Sequence, residues 1–110
     1  MKFECSNEVT CPVEATMKLI GGKYKMVILY HLIGKTLRYG ELHKKIPKAT
    51  DKMLSQQLKE LEQNGLIGKK VYAVVPPKTE YYLTDLGNSL SPIIYAMRDW
   101  GNVYLESSEF

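Results

Sequence analysis

At 110 residues the chain has the length of one domain around one core, and nothing in it marks a second folding unit. With 45% hydrophobic and 25% charged residues its composition is globular, and no window approaches the roughly 20 apolar residues of a membrane span, which excludes an integral helical membrane protein. The net charge of +3 is unevenly placed: residues 35–70 carry nine basic against four acidic side chains, and residues 85–110 one against four. A positive segment on an otherwise near-neutral chain is the electrostatic footprint of a nucleic-acid binder.

Residues 1–10 include Glu4 and Glu8 and lack the apolar stretch of a signal peptide, so they are expected to form a flexible arm on a cytoplasmic protein. Its two cysteines, Cys5 and Cys11, are then expected to be reduced at rest, and they are too few for a disulfide scaffold. Pro12 suits the first position of a helix with Cys11 as its N-cap, and Val13, Met17 and Ile20 recur at helical spacing before Gly21-Gly22. Residues 24–33 are apolar almost all round, which predicts a buried central helix containing His31.

After a short extended stretch, 36–38, the run 39–46 puts Tyr39, Leu42 and Ile46 on one face before Pro47 stops it, with His43 expected on its surface. Thr50 is the N-cap of the next helix, with Asp51 in its first turn, an inner stripe of Leu54, Leu58 and Leu61, and an end at Asn64-Gly65. From residue 66 the period becomes that of strands, with Val71, Tyr72, Val74 and Val75 before Pro76-Pro77 and Tyr81, Tyr82 and Leu83 after. That is a hairpin from which Lys69, Lys70 and Lys78 are expected to project. Thr84 and Asp85 open a final helix carrying Leu90, Ile94, Met97, Trp100 and Tyr104, which Pro92 either kinks or splits. The first and last helices offer more apolar surface than so small a domain can cover, and such patches mark interfaces, most often of symmetric dimers.

The outer face of the 50–64 helix is Lys52, Ser55, Gln56 and Lys59, at i, i+3, i+4 and i+7. Glutamine can pair bidentately with adenine, serine can bond several bases, and lysine can reach guanine or phosphate. On an isolated helix this face would be read as solvated surface. Here Arg38, Lys44 and Lys48 precede it and Lys69, Lys70 and Lys78 follow it, so three neighbouring elements carry one charge, and residues 38–82 have the order of a winged helix-turn-helix. An enzyme fails for want of parts: there is no nucleophile–base pair, glycine-rich phosphate loop or pair of carboxylates at useful spacing. The two cysteines and two isolated histidines match no zinc spacing, and no cofactor is expected.

In order along the chain, Cys11-Pro12-Val13-Glu14, residues 20–25 (IGGKYK), 37–42 (LRYGEL), 52–62 (KMLSQQLKELE), Gly65-Leu66-Ile67, 75–81 (VPPKTEY), 83–87 (LTDLG) and Trp100-Gly101 resemble the HxlR-type winged-helix transcriptional regulators. Tyr24 stands where that family commonly has Trp, and Tyr39 where Phe is usual. The resemblance implies a mainly α fold with a small β-hairpin, one HxlR-type domain over 1–110, with the helix-turn-helix at 39–64, the wing at 67–83 and a dimerisation helix at 84–106. It further implies a homodimer paired through the terminal helices and bound to double-stranded promoter DNA, with half-sites about 34 Å apart. The DNA-binding set would be Arg38, Lys44, Lys48, Thr50, Lys52, Ser55, Gln56, Lys59, Lys69, Lys70 and Lys78.

Some members of that family sense oxidants or electrophiles through a cysteine near the N-terminus, the place of Cys11. The helix dipole would favour its thiolate, and Glu14 and Glu8 would oppose it. The alternatives are a ligand-responsive or constitutive regulator, in which Cys11 is only a cap, and a winged helix used for protein contacts. An effector, unidentified by the sequence, could sit among Tyr24, Tyr30 and Trp100.

Overall fold

The computed structural model describes residues 11–107; the arm at 1–10, with Cys5, lies outside the described residues. Along the chain run α1 (Pro12–Ile20), α2 (Lys25–Leu32), β1 (Leu37–Arg38), α3 (Tyr39–Lys45), α4 (Asp51–Gln63), β2 (Ile67–Tyr72), β3 (Lys78–Leu83), α5 (Asp85–Asn88) and α6 (Ser91–Glu106). The fold is a winged helix-turn-helix.

The core is aliphatic and shared by all the helices but α5. Ile28, Leu29 and Leu32 of α2, Leu42 of α3 and Leu54, Leu58 and Leu61 of α4 are buried together with Leu66 and Ile67 at the start of β2. Each of these side chains contributes about 1.5–3 kcal/mol of burial. The leucine stripe expected of α4 is therefore the core face, and Thr50 caps the helix by accepting a 3.1 Å hydrogen bond from the Met53 amide. Gly65 ends it at φ +75, a conformation that glycine adopts without strain.

The sheet departs from the expected hairpin. It has three strands in the order β1-β3-β2, all antiparallel, because the extended stretch before α3 pairs with β3 through Leu37↔Tyr81 and Arg38↔Glu80. Two residues are too short to show a period, so this strand is visible only once its partner is in place. Val74 and Val75 lie beyond the end of β2 in the wing tip, where both are exposed. Their β-branched type suggested strand, but Pro76-Pro77 removes the amide donors that a ladder would need there.

One helical run settles an open alternative and another departs from expectation. Pro92 splits the C-terminal run rather than kinking it, and α5 ends at Asn88 before Ser91 and Pro92 start α6. The α2 run is apolar all round but buried on one side only, with Val27 and Tyr30 exposed. His31 on this helix is half-buried, edge-on to Tyr30, and not enclosed in the core. Tyr24 and Tyr81 pack on the core, whereas Tyr95 and Tyr104 are exposed.

Candidate nucleic-acid interface

Helix α4 presents its outer face to solvent: Lys52, Ser55, Gln56 and Lys59 are all exposed. Arg38, Lys44, Lys48, Thr50, Lys69, Lys70 and Lys78 are exposed as well. Arg38 sits in β1 as the N-cap of α3, where its amide donates to Glu41 Oε1 at 2.9 Å.

The register of the sheet sorts the wing lysines. Arg38 and Lys70 both pair with Glu80 from opposite sides, and Tyr72 pairs with Lys78, so Arg38, Lys70 and Lys78 share one face. Lys70 lies over the Tyr72 ring at 5.1 Å. Lys69 is on the other face, opposite Tyr81, and its Nζ lies 3.7 Å from Glu62 of α4. The three wing lysines thus do not project together, since neighbours along a strand point to opposite faces. Glu80 between two cations is a feature that sequence reading missed; its signal is the alternation that places it across from Arg38 and Lys70.

A second missed feature lies where α3 meets α4. Tyr39 Oη donates to Asp51 Oδ1 at 2.7 Å, His43 Nε2 lies 2.9 Å from the Ala49 carbonyl oxygen, and His43 Nδ1 lies 3.3 Å from Asp51 Oδ1. His43, expected on the surface, is half-buried in this corner, and Tyr39 turns a polar tip toward α4. The Tyr39 phenol is raised above its usual range, first by burial and then by its bond to Asp51, with Ser55 opposing.

A third tie lies behind the interface. The Gln57 side chain is buried on the core side of α4, and its Oε1 accepts from the Tyr24 amide at 3.2 Å. Lys25, nearly enclosed, reaches Glu60 of α4 at 3.4 Å.

At the N-terminal end, Cys11 precedes α1 as its N-cap, is buried, and is disulfide-bonded. The expectation of a thiol reduced at rest does not describe this structure. Compartment sets a redox poise, whereas a bond depends on whether two sulfurs come within reach, which residue spacing alone does not show. Of the aromatic trio proposed for an effector, only Tyr30 lines a groove of about 350 Å³ between α2 and α6, alongside Met26, Val27, Met97 and Leu105. Tyr24 and Trp100 are not part of it; Trp100 instead stacks on Tyr104 at 5.4 Å. No helix among the described residues is long and apolar enough to cross a membrane.

A family model described as HxlR-like helix-turn-helix matches residues 19–109. The chain belongs to the HxlR-like family. It is 52% identical over 94 residues to the HTH-type transcriptional regulator YdeP of Bacillus subtilis, a match covering 86% of this chain and 73% of that protein. Among solved structures it is similar to the HTH-type transcriptional regulator YtcD, with a TM-score of 0.83, 46% identity and coverage of 89% and 100% of the two chains. It is also similar to the redox regulator HypR in its oxidised form, with a TM-score of 0.81, 45% identity and coverage of 84% and 96%. Membership in the HxlR-like family makes the chain a helix-turn-helix transcription regulator.

Proposed function

We propose that this HxlR-like protein acts as a homodimer that reads a promoter sequence-specifically, with α4 in the major groove and the wing beside the backbone. The observation that carries the reading is the α4 face, on which Lys52, Ser55, Gln56 and Lys59 are exposed together, flanked by the Arg38, Lys70 and Lys78 face of the sheet. All eleven residues of the set are exposed, Lys69 on the sheet face away from Arg38, Lys70 and Lys78. In this reading the lysines and Arg38 contact phosphates and Gln56 reads a base edge.

The test is titration of a duplex enriched by the protein from a random-sequence library, at several salt concentrations. Log affinity falls with log salt at a slope of about −0.9 per phosphate neutralised. Gln56→Ala costs about 1–3 kcal/mol of discrimination on the enriched duplex, whereas Lys59→Ala weakens all duplexes alike and reduces the slope by about one. Unchanged affinity and specificity in both variants would remove α4 from the reading surface. Absence of salt-dependent duplex binding would favour a winged helix used for protein contacts.

The same reading places a redox input at Cys11. Its support is the disulfide at the N-terminus of α1, together with the similarity to a protein described as a redox regulator. Reducing the disulfide and re-oxidising it should change duplex affinity reversibly in the wild type and leave Cys11→Ser unresponsive. Equal responses would leave a ligand-responsive or constitutive regulator.

A further inference from the structure

We propose that Tyr39, His43 and Asp51 form a positioning network that sets how the reading helix leaves the turn. This inference rests on the assignment of α4 as the DNA-reading helix. Asp51 is the first residue of α4, and its carboxylate is mostly exposed, on the side from which phosphates would approach. Left to itself it would repel them. In the structure it is turned back toward α3, because Oδ1 accepts the Tyr39 hydroxyl at 2.7 Å. The raised phenol keeps that proton, so Tyr39 remains a donor at neutral pH.

The geometry around His43 dictates its protons. A carbonyl oxygen only accepts, so the 2.9 Å contact with Ala49 requires a hydrogen on Nε2. In the neutral ring Nδ1 is then a lone pair, facing the Asp51 carboxylate at 3.3 Å. Adding a proton to Nδ1 turns two opposed acceptors into a charge-assisted hydrogen bond. His43 then bridges the turn residue Ala49 and the first residue of α4, with Tyr39 on the same carboxylate oxygen. The groups facing the ring are Tyr39 from its own helix, with ring centroids 5.8 Å apart, and Asp51 from α4. Lys44 and Lys45 flank it on α3, and Lys48 stands in the turn.

The test compares the enriched duplex with a scrambled duplex of equal length and reads the ratio of the two affinities. Tyr39→Phe and His43→Gln each lower that ratio by roughly threefold to tenfold, the worth of about one hydrogen bond. Affinity for the scrambled duplex, set by phosphate contacts, stays within about twofold. Asp51→Asn still accepts from Tyr39, so it lowers the ratio less than Tyr39→Phe does. The double variant Tyr39→Phe/His43→Gln loses less than the two singles combined, because they act on one carboxylate. If Tyr39→Phe and His43→Gln keep the wild-type ratio, the network does not position the helix. If the wild type enriches no sequence, the DNA-reading assignment falls and this inference falls with it.

Discussion

The two histidines show how one residue type takes opposite parts according to what surrounds it. His31 is held below the ordinary histidine range, first by burial and then by Lys45 and Lys35, all of which disfavour the imidazolium. An unfolded chain therefore takes the proton before the folded one. The stability that neutral His31 contributes is present above the unfolded value, about 6.5, and is lost as pH falls through it. A thermal denaturation series from about pH 8 down to about pH 5.5 should show a falling midpoint in the wild type and a flatter profile in His31→Gln. Parallel profiles would place the acid sensitivity elsewhere. Sequence alone could not separate His31 from His43, because the difference lies in a carbonyl and a carboxylate that only folding brings to the second ring. Caps, by contrast, were legible at Thr50, Pro12 and Gly65, since each acts on backbone within a few residues of itself.

At the scale of elements, what the sequence showed was periodicity and what it hid was pairing. The stripe of Leu54, Leu58 and Leu61 predicts α4 and its inner face because the helical repeat is local. Gln57 stands within that face and looks like one more polar residue of the helix. In the fold it is the acceptor that closes the start of α2, and a Cβ on Gly22 would lie 2.3 Å from its Oε1, so the two segments meet with no room to spare. Gln57→Leu should cost about 1–3 kcal/mol, since the Tyr24 amide loses its acceptor inside the protein. That corresponds to a drop of several degrees or more in the thermal midpoint. A stability within a few tenths of a kcal/mol of wild type would mean that the bond contributes little, as surface substitutions do. The effect on DNA reading should be indirect, because Gln57 faces away from Lys52, Gln56 and Lys59 on the same helix. The wing repeats the lesson: Lys69 and Lys70 are adjacent in sequence, and only the register with Tyr81 and Glu80 reveals that they serve different faces.

For the whole molecule, the radius of gyration of 16.0 Å exceeds the roughly 13 Å of a close-packed domain of this length. Helix α6 is thinly packed. Over 16 residues it buries only Ile94, while Met97, Val103 and Leu105 are 51, 60 and 80% exposed. On the opposite terminal helix Val13 and Met17 are exposed as well. This much apolar surface on the two terminal helices exceeds what monomers ordinarily leave wet. A symmetric pairing of terminal helices would cover it, and would hold two copies of α4 at a fixed spacing, as a palindromic site requires. In that pairing the 350 Å³ groove between α2 and α6 would offer a seat for side chains of the partner helix. Sedimentation of the wild type should therefore report twice the 12.6 kDa chain mass. Leu105→Glu and Val103→Glu, each at an exposed position where the monomer loses little, should shift it to the single-chain mass while leaving the helical content intact. The same variants should weaken binding to the enriched duplex far more than to an isolated half-site, because two linked reading helices multiply effective concentration and one does not. A wild type that sediments as a single chain at tens of micromolar would mean that another surface covers α6, and the half-site spacing would then have no structural origin in this pairing.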